Sequence, residues 1–125
     1  MPTADEIRSA MQDYIKFMCD SDIEGIMSLY ANDATVEDPV GAEPKSGREV
    51  LREFYAASAP KLEVELTGPI RVAGVECAMP MLAELSLNED TKLYIDVIDV
   101  MKFDAAGKIV SMRAFWDPAE TRPTR

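Results

Sequence analysis

Residues 93–103 read LYIDVIDVMKF, and their alternation decides the fold. A strand sends successive side chains to opposite faces. One face here carries Leu93, Ile95, Val97, Asp99, Met101 and Phe103, and the other Tyr94, Asp96, Ile98, Val100 and Lys102. A one-residue slip would turn Asp96 inward in place of Asp99, but it would also turn Tyr94 and Lys102 inward. On either side the sequence reads as further strands joined by tight turns. Met81, Ala83, Leu85 and Leu87 alternate with Glu84 and Ser86 ahead of a turn at Asn88–Asp90, and Asp104–Gly107 leads into a last strand, Lys108–Trp116. Leu62, Val64 and Leu66 alternate upstream, and Ile70 and Val72 begin a further short segment.

Before Pro60 the period is helical. Thr3 and Glu6 have capping-box spacing ahead of Ile7, Met11, Tyr14 and Met18. Ser21 and Glu24 repeat that spacing before Ile23, Ile26, Met27 and Tyr30, and a third helix starts at Ser46 or Gly47 with Val50, Leu51, Phe54 and Tyr55 on its apolar side. A first strand, Ala34–Asp38, stops at Pro39. Helices first and hairpin-linked strands later predict an α+β fold, three N-terminal helices packed on a curved, mostly antiparallel sheet, with residues 1–125 as one domain. The tail from Asp117 to Arg125, polar and carrying two prolines, reads as loosely held.

Composition narrows the chemistry. The chain has 125 residues and no histidine, so His-based triads, imidazole acid–base catalysis and the usual zinc sites are excluded. Its net charge of −10 argues against a nucleic-acid or anionic-membrane partner. Cys19 and Cys77 form no Cys-x-x-Cys motif, so no metal site is expected, and no glycine spacing matches a nucleotide cradle. With no signal-like N-terminus, the default expectation is a cytoplasmic protein.

Three ionisable side chains occupy apolar phase: Tyr14 on the buried stripe of the first helix, Asp38 on the Ala34–Val36 face of the first strand, and Asp99. Each alone has an ordinary structural reading, and spacing does not bring them together. In one pocket, burial and mutual repulsion would push the two carboxyl pKa values apart, leaving one group a neutral donor and the other a base. Two neutral donors and a base are the parts needed to remove a proton beside a carbonyl.

Four stretches resemble the Δ5-3-ketosteroid isomerases: YANDATVEDPVG (Tyr30–Gly41), SGREVLREFYA (Ser46–Ala56), DVIDVMKFD (Asp96–Asp104) and GKIVSMRAFW (Gly107–Trp116). Those enzymes share the cone-shaped fold of nuclear transport factor 2 and scytalone dehydratase. The resemblance implies a cofactor-free steroid Δ-isomerase in which Asp38 moves a proton from C4 to C6. Tyr14 and protonated Asp99 would hold the dienolate oxygen, and Tyr30 and Tyr55 would extend the hydrogen-bond network. This family is a familiar case of a carboxylic acid kept neutral in an oxyanion hole, so that role comes with the resemblance, whereas strand parity places Asp99 in apolar company independently. Trp116 matches an aromatic that borders the base in some members. Met81, which stands where one relative has Phe, is a candidate pocket wall together with Val97, Met101, Met112 and Trp116. The opposite sheet face, with Ile98, Val100, Ile109 and Phe115, is read as the seat of a homodimer partner. The alternatives are a non-catalytic binder of apolar small molecules and another enzyme of the same fold.

Overall fold

The first helix, α1 (Ala4–Cys19), begins where the sequence places it. Thr3 accepts from the Glu6 backbone N–H and Glu6 accepts from that of Thr3, a complete capping box. Its stripe of Ile7, Met11, Tyr14 and Met18 is buried. Each such side chain removed from water contributes roughly 1.5–3 kcal/mol. The second helix, α2 (Ile23–Ser28), is capped by Asp22, whose carboxylate accepts from Gly25 N–H at 2.9 Å, and not by Ser21. Ser21 instead takes the left-handed backbone, φ 54°, that turns the chain between the helices. The third, α3 (Arg48–Ser58), starts after Gly47 and buries Leu51 and Tyr55, while Val50 is exposed.

In this computed structural model, which describes all residues 1–125, the strands are β1 (Tyr30–Glu37), β2 (Lys45–Ser46), β3 (Leu62–Leu66), β4 (Arg71–Ala73), β5 (Glu76–Ser86), β6 (Lys92–Phe103) and β7 (Ile109–Phe115). They form one sheet in the order β2-β1-β7-β6-β5-β3, with β4 also on β5. Every pairing is antiparallel except β1 with β7. The chain thus builds an α+β fold with three helices on an open mixed sheet, as the change of period predicts. No helix is long and apolar enough to cross a membrane.

β5 is longer than its alternating half suggests. Pro80 lies inside it, in the interval where β3 has stopped pairing at Met81 and β4 begins at Ala78. A residue without an N–H is tolerated where one neighbouring strand hands over to the next.

In β6 the predicted parity holds: Ile95, Val97, Asp99, Met101 and Phe103 are buried, and Asp96, Ile98 and Lys102 are exposed. In β7 parity fails at one point. Lys102 pairs with Ser111 but Phe103 with Ile109, so Val110 is an extra residue. This bulge turns Ile109 into the core, where it is fully buried, and removes it from the outer face.

The tail is not loose. Arg122 and Tyr94 exchange two backbone hydrogen bonds, of 2.8 and 3.1 Å, and Arg122 and Arg125 meet Asp96 and Glu65.

Candidate active site

Between the helices and the concave sheet face lies a cavity of about 240 Å³. Fourteen of its seventeen lining residues are hydrophobic, and the exceptions are Asp38, Ser58 and Asp99. α1 supplies Tyr14 and Met18, α3 supplies Phe54, Tyr55 and Ser58, Asp38 and Trp116 follow the ends of β1 and β7, and the strands supply the rest. Asp38 follows the last residue of β1, so its side chain leaves the strand end for the cavity. Tyr14, Asp38 and Asp99 therefore line one apolar space, although they come from a helix, a loop and a central strand.

The hydroxyls form a chain. Tyr14 Oη lies 2.9 Å from Tyr55 Oη, which lies 2.5 Å from Tyr30 Oη. All three rings are buried, and burial first, with charged neighbours adding to it, pushes their pKa values well above the usual phenol range. They remain neutral donors at any physiological pH.

The two carboxyls differ in surroundings. Asp99 is only 4% exposed. Desolvation, with the charge of Asp38 adding to it, pushes it up to about 8, so it holds its proton at neutrality. Asp38 is half-buried. Burial raises its pKa, and the Trp116 indole N–H, which donates to Asp38 Oδ1 at 2.6 Å, and the charge of Lys45 oppose that rise. Lys45 Nζ itself sits 5.2 Å above the Phe54 ring. A half-buried carboxyl that accepts from an indole N–H, lining the same apolar space as a neutral acid and a neutral phenol, is an arrangement that can take up a proton and donate hydrogen bonds to an oxyanion.

Of the predicted walls, Met81, Val97, Met112 and Trp116 line the cavity. Met101 does not. It lies on the correct face of β6 but two residues beyond Asp99, fully buried in solid core, because strand parity fixes a face and not how far a cavity extends along it. Tyr30 is not in the lining; its hydroxyl stands behind that of Tyr55. Sequence reasoning missed Met18, Phe54, Ser58, Leu62, Val64, Ala83, Leu85, Ile95 and Ala114. For Ile95 the signal was present, since it shares the parity of Val97 and Asp99.

Known proteins agree with this architecture. Residues 11–112 match the SnoaL-like domain family. A steroid Delta-isomerase of Nocardioides simplex is 40% identical over 116 residues, covering 92% of this chain and 93% of that protein. The epoxide hydrolase LasB of Streptomyces lasalocidi is 31% identical over 120 residues, covering 78% of this chain but 42% of the larger relative. Among solved structures, an epoxide hydrolase/cyclase-like enzyme of pyran ring formation in the polyether salinomycin superposes with a TM-score of 0.92 at 26% identity, over 99% of this chain and 100% of that one. These relatives are all described as enzymes. A shared helix-and-sheet architecture, a domain match over most of the length and near-complete alignment with an isomerase converge on one assignment: the chain belongs to the steroid Delta-isomerase family of SnoaL-like domains, which have the fold of nuclear transport factor 2.

Proposed function

We propose that this protein moves the double bond of a 3-oxo-Δ5-steroid into conjugation, at Δ4, by proton transfer through a dienolate. The observation that carries this reading is the lining of the cavity: Asp38, Asp99 and Tyr14 share one apolar space, with Asp99 neutral at pH 7. Ionised Asp38 removes a proton from C4, and the electron pair moves through C3 onto the carbonyl oxygen. Tyr14 and Asp99 donate hydrogen bonds to that oxygen as its charge develops. Asp38 then returns the proton to C6, so the reaction needs no cofactor.

Each phenol has one proton to give. For Tyr14 to donate to the substrate, Tyr55 must donate to Tyr14 and Tyr30 to Tyr55, and the observed spacing suits that order. The apolar walls favour a flat hydrocarbon and strengthen each polar contact by excluding water.

Incubation with 5-androstene-3,17-dione is expected to give the absorbance of a conjugated enone in a protein-dependent manner. Unchanged absorbance at substrate saturation would count against the isomerase reading. The likeness to epoxide hydrolase and cyclase-like enzymes favours a second reading, in which the same acid protonates an epoxide oxygen and the same base activates the attacking hydroxyl. Consumption of an epoxide with no enone formed from the steroid would select it.

We further propose that a second copy of the chain covers the outer sheet face. Ile98 and Phe115 are 46% and 42% exposed there, beside half-buried Val100. Sedimentation at micromolar concentration should then give a dimer, and a 13.8 kDa particle alone would contradict it.

A further inference from the structure

We infer that Arg122, acting through Asp96, is a positioning residue that straps Trp116 onto Asp38. The inference rests on the isomerase reading only in treating Asp38 as the base.

Trp116 lies just past the end of β7, outside the sheet ladder. Its side chain is half-buried and packs against the edge of the core. It lines the catalytic cavity, and it also lines a second cavity of about 340 Å³ bounded by Pro80, Ile98, Phe115, Asp117 and Glu120. Because it borders both cavities, core packing leaves the ring room to shift from where its N–H meets Asp38 Oδ1, 2.6 Å away. The chain on either side then helps set its position. Upstream, Phe115 is paired with Ile98 of β6. Downstream, the next tie to β6 is Arg122, which exchanges backbone hydrogen bonds with Tyr94 and meets both carboxylate oxygens of Asp96 with its guanidinium.

The residues between these anchors form a stiff knot. Asp117 Oδ1 accepts from Ala119 N–H at 2.9 Å, Glu120 N–H donates to the Asp117 carbonyl at 2.9 Å, and Thr121 Oγ1 donates to the Pro118 carbonyl at 3.2 Å. A stiff segment pinned at both ends moves as a lever when one pin is released, so movement at Arg122 is transmitted to Trp116. An exposed ion pair contributes little to overall stability. A bidentate Arg–carboxylate pair, however, fixes geometry as well as charge. Asp96 thus has a use of its own: the parity that sends Asp99 inward sends Asp96 outward to hold the strap.

The test uses Arg122→Glu, which sets like charges against each other, and the compensating pair Arg122→Glu with Asp96→Lys, each checked by far-UV circular dichroism. Trp116 is the sole tryptophan, so its emission reports the strap directly. Arg122→Glu is expected to shift emission to the red, to lower kcat about tenfold, and to move the acid limb of kcat/KM to higher pH, because Asp38 loses the donor that stabilises its anion. The compensating pair is expected to restore all three. Parental emission in Arg122→Glu, a red shift with an unmoved acid limb, or a failure of the compensating pair to recover would each overturn the inference. Emission needs no steroid. An emission response that is rescued, in a protein that forms no enone, supports the strap and counts against the isomerase reading alone.

Discussion

Asp38→Asn is expected to lower the rate of enone formation by roughly 10³–10⁴-fold, the usual contribution of a positioned general base. The amide matches the carboxyl in shape and its oxygen can still accept from the Trp116 indole, but it cannot take up the C4 proton. Affinity for a product-like steroid should stay within about threefold, because all fourteen hydrophobic lining residues, Tyr14 among them, and Asp99 are untouched. Single-turnover absorbance and quenching of Trp116 emission measure the two quantities separately. A chain that only binds apolar molecules would show full affinity in this variant and no isomerisation in the parent. Turnover surviving the substitution would remove Asp38 from the role of base.

Tyr14→Phe and Asp99→Leu are each expected to lower kcat by about 10²–10³-fold, as the loss of one oxyanion donor does. Combined, they should cost less than the product of the two losses. Both groups donate to a single oxygen, and each deletion changes what the other is worth. Losses that multiply would place the two donors on different atoms. The same variants should diverge in stability. Tyr14→Phe removes one of the two partners of the buried Tyr55 hydroxyl, which keeps Tyr30, so the cost is roughly 0.5–1.5 kcal/mol. Asp99→Leu removes a titration. The folded chain keeps the Asp99 proton up to about pH 8, and an unfolded aspartate keeps it only to about pH 4. Stability from this group is therefore complete below the unfolded value and is lost as pH rises through the folded one. The leucine variant should lack that decline, with a smaller fall in urea midpoint between pH 5 and pH 9 than the parent.

Much of this site is legible in the sequence because it rests on local rules. The Thr3–Glu6 box fixes where α1 starts, and the start fixes which face Tyr14 shares with Ile7, Met11 and Met18. Eleven residues of unbroken alternation in β6 fix Asp99 inward and Asp96 outward. What escapes the sequence is what depends on the third dimension. Nothing local announces the extra residue at Val110, so Ile109 reads as an outer-face residue until the pairing with Phe103 is known. The depth of the cavity along β6 is set by how α1 and α3 rest on the sheet, and this excludes Met101 while admitting Ile95. The tail reads as loose because its ties, Tyr94, Asp96 and Glu65, lie more than twenty residues away in sequence.

All of the chemistry proposed for the cavity depends on one anionic oxygen facing two uncharged donors. Carboxyl ¹³C resonances of labelled aspartate, assigned by Asp99→Asn and followed from pH 3 to pH 10, test that condition directly. The account predicts that Asp99 titrates near 8, and that its apparent pKa falls in Asp38→Asn because the neighbouring charge is gone. A parent protein in which Asp99 titrates near 4, with the ordinary carboxylates, would leave two anions in the cleft at neutral pH and would contradict the account.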